Sequence, residues 1–77
     1  MEIKVLGTGC TKCKKLEQLT TEMVNELGIK ANVEKVEDIY KIMQYGVMRT
    51  PGLVVNDKVV LTGRLPKSSE LKELLSN

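Results

Sequence analysis

Ile3-Lys4-Val5-Leu6-Gly7-Thr8-Gly9-Cys10-Thr11-Lys12-Cys13 is the stretch on which the architecture of this chain turns. Ile3, Val5 and Leu6 form a short apolar run that stops at Gly7, the pattern of a buried strand. Gly7-Thr8-Gly9-Cys10 is rich in turn residues. From Thr11 to Leu27 the apolar positions are Cys13, Leu16, Leu19, Met23, Val24 and Leu27. That spacing makes one stripe along a helix, and Gly28 follows as a terminator. Thr20 and Thr21 lower the helix propensity, but the stripe outweighs them. A strand therefore turns into a helix within a few residues, with two cysteines at the corner.

Working outward, Ile29, Ala31, Val33 and Val36, with charges between them, read as a second strand. Asp38 can cap a short helix from Ile39 to Tyr45, ended by Gly46. Gly52-Leu53-Val54-Val55 and Val59-Val60-Leu61 are strand-like runs, and Asn56-Asp57 between them suits a tight hairpin. A last helix is expected from Lys67 to Leu75, with Leu71, Leu74 and Leu75 facing inward and Pro66 near its start. The order β-α-β-α-β-β-α begins with a right-handed parallel βαβ unit and ends with an antiparallel hairpin and a closing helix. It predicts an α/β fold, a four-stranded mixed sheet flanked by helices on both faces. The sequence has 77 residues with no repeat or linker, so a single domain spanning 1–77 is expected.

Composition excludes several functions. Ile, Leu and Val number 23 while Phe and Trp are absent, so the core is aliphatic. Twelve Lys and Arg against ten Asp and Glu leave a net charge of +2, too balanced for a binder that relies on neutralising phosphates. Only Tyr40 and Tyr45 are aromatic, too few for a single-strand stacking platform. Histidine is absent, which removes His-based zinc sites, His general bases and a Cys–His dyad. No apolar run approaches the roughly 20 residues of a membrane helix. No signal-peptide pattern follows Met1. The expectation is a monomeric cytoplasmic domain with no nucleic-acid or membrane partner.

The chain has two cysteines, Cys10 and Cys13. A bridge across two intervening residues closes a very small loop, worth roughly 2 kcal/mol or less on the chain-entropy account. The pair is poorly placed as a staple, which leaves redox chemistry or metal binding. Amide N–H groups at a helix start favour a thiolate, and Lys12, Lys14 and Lys15 add positive charge. Cys10 is thus the candidate nucleophile. Cys13, one turn further on and directed toward the apolar stripe, suits a resolving thiol that attacks once Cys10 is bonded to a substrate sulfur. Three alternatives stand beside this reading. The cysteines could be ordinary buried residues, they could hold a two-coordinate soft cation such as Cu(I), or they could sense oxidation without turnover. Soft-metal carriers with a C-x-x-C after the first strand follow the order β-α-β-β-α-β, which ends on a strand. The order here ends on a helix.

Cys10-Thr11-Lys12-Cys13 after a first strand, with Thr50-Pro51-Gly52-Leu53-Val54-Val55 about 40 residues later and then Gly63-Arg64, resembles the thioredoxin superfamily. Within it the chain is most similar to small, glutaredoxin-sized microbial redox-active disulfide proteins with the pattern Gly-Thr-Gly-Cys-x-x-Cys. The resemblance covers essentially the whole chain. It implies a thiol–disulfide oxidoreductase that reduces protein disulfides, carries electrons from an upstream disulfide reductase and needs no cofactor or metal. It also implies a cis Thr50–Pro51 bond facing the cysteines. The Thr50 backbone would pair with an extended substrate segment, and Pro51 would keep adventitious metal from the thiols. Thr11 and Lys12, the motif interior, join Thr50 and Pro51 as candidate substrate contacts.

The sequence departs from that family in places. Thr11-Lys12 stands where thioredoxins carry Gly-Pro and glutaredoxins Pro-Tyr, and Gly9 stands where an aromatic residue commonly precedes the first cysteine. Gly63-Arg64-Leu65-Pro66 lacks the acidic residue of a glutathione-holding element. Lys4 occupies the position, six before Cys10, of the family's buried carboxylate. It reads as a solvated strand-edge lysine; the sharper alternative places it beside the thiols, lowering their pKa. Met23, Met43 and Met48 read as core gap fillers. Tyr40 and Tyr45 are expected to pack partly on the sheet with wet hydroxyls. Val47 and Met48 are expected to offer apolar contact to a partner. The Lys12-x-Lys14-Lys15 run reads as a solvated helix face, with contact to an acidic partner as its alternative.

Overall fold

A computed structural model describes residues 1–76; Asn77, the last residue of the expected domain, lies outside the described residues. The elements are β1 (Glu2–Leu6), α1 (Thr11–Leu27), β2 (Asn32–Val36), α2 (Ile39–Gln44), β3 (Gly52–Val55), β4 (Lys58–Thr62) and α3 (Ser68–Ser76). This is the expected order. The sheet runs β2-β1-β3-β4. β1 pairs parallel with β2 and antiparallel with β3, and β3 pairs antiparallel with β4. Among the described residues no helix is long and apolar enough to cross a membrane.

Period-two alternation divides the core between the two faces of the sheet. Ile3 and Val5 of β1, with Leu53 and Val55 of β3, pack under Leu16, Met23 and Val24 of α1 and Leu71 and Leu75 of α3. Leu6 and Val54 belong to a second cluster with Val36, Ile42 and Val47, beneath α2. Each middle strand thus buries both its faces, which is why β3 is buried at all four positions.

The element ends follow local chemistry. Gly28 adopts a left-handed φ of 66°, its N–H donates to the Asn25 carbonyl, and the Ile29 N–H donates to Val24. This helix-terminating pair occupies Ile29, so β2 begins at Asn32 rather than at Ile29. Ile29 and Ala31 still pack against the larger cluster. Asp38 caps α2 by accepting from the Tyr40 N–H at 2.9 Å. Asn56 and Asp57 both have positive φ, 49° and 66°, as the two-residue hairpin requires.

Three side-chain expectations are corrected. Met23 is a core residue, but Met43 is 59 % and Met48 91 % exposed, so neither fills a gap. Tyr40 is 75 % exposed and does not pack on the sheet, whereas Tyr45 packs against the smaller cluster. Both α2 outliers follow from its length: six residues bury only Ile42, leaving most of the helix surface outside.

Thr20 sits on the α1 stripe, fully buried, and its hydroxyl has no hydrogen-bond partner among the described residues. Thr20→Val removes that unmet group at nearly constant shape, and urea denaturation of the oxidised protein is expected to show a gain of about 1 kcal/mol. Arg64, in the loop after β4, donates to both Glu70 carboxylate oxygens in the first turn of α3, at 2.7 and 2.6 Å. These hydrogen bonds hold the Glu70 carboxyl below its ordinary value of 4.5. A carboxyl whose folded pKa is lowered stabilises the fold above its unfolded pKa and loses that contribution as pH falls through the folded one. Arg64→Gln is therefore expected to lower the thermal midpoint slightly at neutral pH. The gap from wild type should close in strong acid, and a gap that persists there would contradict this assignment.

Candidate active site

β1 does not end its pairing at Leu6. The Gly7 N–H donates to the Val36 carbonyl at 3.0 Å, which carries the parallel ladder one residue further. The chain then bends through Thr8 and Gly9, where Gly9 takes a φ of 90°. Cys10 follows in extended conformation as the residue that caps α1. Its carbonyl accepts the first helical hydrogen bond, from the Lys14 N–H at 3.0 Å. Its Sγ accepts from the Cys13 N–H at 3.2 Å, the place a Ser or Asp oxygen occupies in an ordinary cap.

Cys10 and Cys13 form a disulfide, with their Cα atoms 5.1 Å apart. The two sulfur-bearing residues differ in access. Cys10 is exposed, while Cys13 is 5 % exposed at the head of the α1 stripe. Gly7 makes that burial possible. A Cβ at Gly7 would overlap the Cys13 Cβ and Sγ. The first turn of α1 carries no acidic residue, and Lys12, Lys14 and Lys15 are all exposed there. This reverses the usual preference for Asp and Glu at a helix start and leaves the helix end that Cys10 caps with basic side chains only.

Thr50 and Pro51 reach the same end of the sheet. Leu6 of β1 lies opposite Gly52 of β3, so the loop leaving β1 and the segment entering β3 share one rim. The Thr50–Pro51 bond is cis. Thr50 is half-buried, Pro51 is buried, and the Pro51 carbonyl accepts from the Gly63 N–H at 2.9 Å. Thr11 and Lys12 are exposed on the first turn of α1. Of the two residues expected to meet a partner, Met48 is exposed, but Val47 is 3 % exposed and belongs to the smaller core cluster.

Lys4 matches neither of its expectations. It is half-buried, and its ammonium donates to the Tyr45 hydroxyl at 3.0 Å. That hydrogen bond raises the Lys4 pKa above 10.5, with Glu34 and Asp57 adding in the same sense. Strand alternation decides the outcome: Ile3 and Val5 face α1, so Lys4 faces the α2 side. There it lines a groove of about 460 Å³ with Glu34, Lys41 and Tyr45, among others; neither cysteine lines that groove.

Glu37 was not a candidate from sequence. It is exposed just after β2, and its Oε2 lies 3.6 Å from where a Gly9 Cβ would stand. With Val5, Gly7, Cys13, Lys14 and Lys35 it borders a cavity of about 30 Å³ beside Cys13. The signal was available in the parallel βαβ unit: if Leu6 pairs with Val36, the residue that follows β2 meets the cysteine loop. No group of three or more His, Cys, Asp or Glu converges to hold a metal among the described residues.

Gly7→Ala is expected to force α1 away from the strand end. Overpacking of this kind costs about 1–3 kcal/mol, measurable by urea denaturation of the oxidised protein. The same substitution should slow closure of the Cys10–Cys13 bond in the reduced protein. Unchanged stability and closure would show that the Gly7–Cys13 approach is not a constraint.

The family model described as "Thioredoxin domain" matches residues 1–76. The chain is 40% identical over 76 residues to a thioredoxin of Methanothermobacter thermautotrophicus, covering 99% of each chain. It is 39% identical over 75 residues to a thioredoxin of Methanocaldococcus jannaschii, covering 97% of this chain and 86% of that one. A probable thioredoxin of Archaeoglobus fulgidus is 30% identical over 69 residues, covering 86% of this chain and 75% of the other.

Proposed function

This chain belongs to the thioredoxin family, and from that premise we propose how its residues divide the work of a thiol–disulfide oxidoreductase. The observation that carries the reading is an exposed sulfur capping a helix, bonded to a buried sulfur one turn away. In the reduced protein the Cys10 thiolate attacks one sulfur of a protein disulfide. The substrate S–S bond breaks, the second substrate sulfur leaves as a thiolate and takes up a proton, and a mixed disulfide joins Cys10 to the first. The Cys13 thiol then gives up its proton and attacks Cys10 Sγ. The Cys10–Cys13 bond forms and the remaining substrate sulfur departs as a thiol. Two electrons have moved from the protein to its substrate, and an upstream disulfide reductase restores them with one proton, which returns to Cys13 while Cys10 is regained as its thiolate.

Thr50, Pro51, Thr11 and Lys12 form the substrate rim in this reading. Thr50 offers backbone groups to an extended substrate segment, and Pro51 brings no N–H donor to that edge. The shared rim of β1 and β3 supports the assignment, and so does the exposure of Thr11 and Lys12. The protein acts as a cytoplasmic monomer, one domain over residues 1–77.

Cys10→Ser is expected to abolish reduction of a protein disulfide such as insulin by dithiothreitol above the uncatalysed rate. Cys13→Ser should instead accumulate a mixed disulfide with the substrate, visible by non-reducing electrophoresis. A Cys13→Ser protein that captures nothing would favour a sensor without turnover. Lys12→Glu is expected to slow alkylation of Cys10 in mildly acidic buffer roughly two- to fivefold, as a charge contribution of about 0.3–1 kcal/mol at a helix start implies. An unaltered rate would remove Lys12 from the account of thiolate stabilisation.

A further inference from the structure

The resolving step leaves one proton without a stated destination. Cys13 is 5 % exposed, so bulk water has little access to its thiol. The thiolate is the attacking species, so the thiol must lose its proton before or as it bonds to Cys10 Sγ. The cavity beside Cys13 has about 30 Å³, and a water needs roughly 10–15 Å³ of such space. Its lining includes Glu37, Lys14 and Lys35 beside Cys13, and Glu37 is also exposed to solvent.

We propose that Glu37 accepts the Cys13 proton through a water held in this cavity, so that the resolving thiol is deprotonated from inside the site. The inference rests on the oxidoreductase reading above. The step balances. The proton passes from Cys13 Sγ to the water as the water passes one to Glu37. The thiolate attacks Cys10 Sγ, and the Cys10–substrate bond breaks. The departing substrate thiolate is then protonated, from Glu37 or from solvent, and no external oxidant or reductant enters.

The position of Glu37 fits a relay. Its Oε2 lies 3.6 Å from where a Gly9 Cβ would stand, which places the carboxylate against the loop that leads into the cysteine pair. Glu37 shares the cavity lining with Lys14 from α1 and Lys35 from β2, and the Lys35 ammonium lies 3.8 Å from Glu17. On its other side it borders the groove shared with Lys4, Glu34, Asp38, Lys41 and Tyr45. Glu37→Gln leaves all these groups in place and removes only the carboxylate's ability to take a proton and its negative charge. Those two losses act in opposite directions on Cys13. Without an acceptor the thiol reacts more slowly; without a neighbouring negative charge its thiolate forms more readily.

The test uses the reduced full chain and Ellman's reagent in a stopped-flow spectrometer. Attack by Cys10 releases one thionitrobenzoate, and attack by Cys13 on the resulting mixed disulfide releases the second. Glu37→Gln is expected to slow the second release about a hundredfold at neutral pH, the low end of general-base contributions. The first release should change by less than about twofold, since the carboxylate does not serve Cys10. In alkaline buffer the two proteins should converge, because hydroxide then removes the Cys13 proton directly. An unchanged second release would overturn the inference, and so would equal slowing of both releases. A deficit constant across pH, or a faster second release, would overturn it too; the last would mean that Glu37 acts only as a repelling charge. Loss of the first release in wild type would overturn the oxidoreductase reading itself, which distinguishes the two failures.

Discussion

The close approach of Cys13 to Gly7 is the contact from which the active end is built. One hydrogen bond, Gly7 N–H to the Val36 carbonyl, holds the strand end in the sheet just where α1 must begin. No side chain stands at Gly7, so the first turn of α1 lies directly on that strand end. Leu16, the next residue on the stripe, is fully buried and fixes the helix against Ile3, Val5 and Leu53. From this placement the two sulfurs acquire different surroundings. Cys13 enters the core, and Cys10 is left outside as the cap. A larger residue at Gly7 would lift the helix and dissolve that difference.

The electrostatics of the same corner work against the helix and for the thiol. A helix start favours negative side chains by about 0.3–1 kcal/mol each, and α1 has none in its first turn. Three lysines stand there or next to it instead. The helix is secured by other means, namely the buried stripe and the hydrogen bonds at Gly28. The negative charge that the helix start lacks is supplied by Cys10 once its thiol ionises. The reduced protein therefore gains where an ordinary helix would lose.

Much of this was legible in the residues. The apolar run to Leu6, the glycine turn and the stripe from Cys13 to Leu27 identified the corner, and Asn56-Asp57 identified the hairpin. Periodicity reports such features directly, because a buried face repeats along an element. The less legible parts depended on contacts across the fold. Lys4 could not be assigned a partner until Tyr45 was seen on the α2 side of the sheet. Met43 and Met48 looked like core residues by type, yet Met43 lies on a helix that buries only Ile42 and Met48 stands exposed in the loop after it. Glu37 looked like one charge among many; only the parallel register of β1 and β2 brings it to Cys13. Thr20 was legible as a weak helix former but not as a buried, unpartnered hydroxyl.

The claim beneath the whole account is that the helix start makes Cys10 the acidic thiol of the pair. Ultraviolet absorbance of the thiolate, followed against pH in the fully reduced protein, tests it most directly. The account predicts one thiolate that forms below the ordinary thiol range, persists in Cys13→Ser and vanishes in Cys10→Ser. Thiolate absorbance appearing only in or above the ordinary range, or an acidic thiol that survives the loss of Cys10, would contradict it.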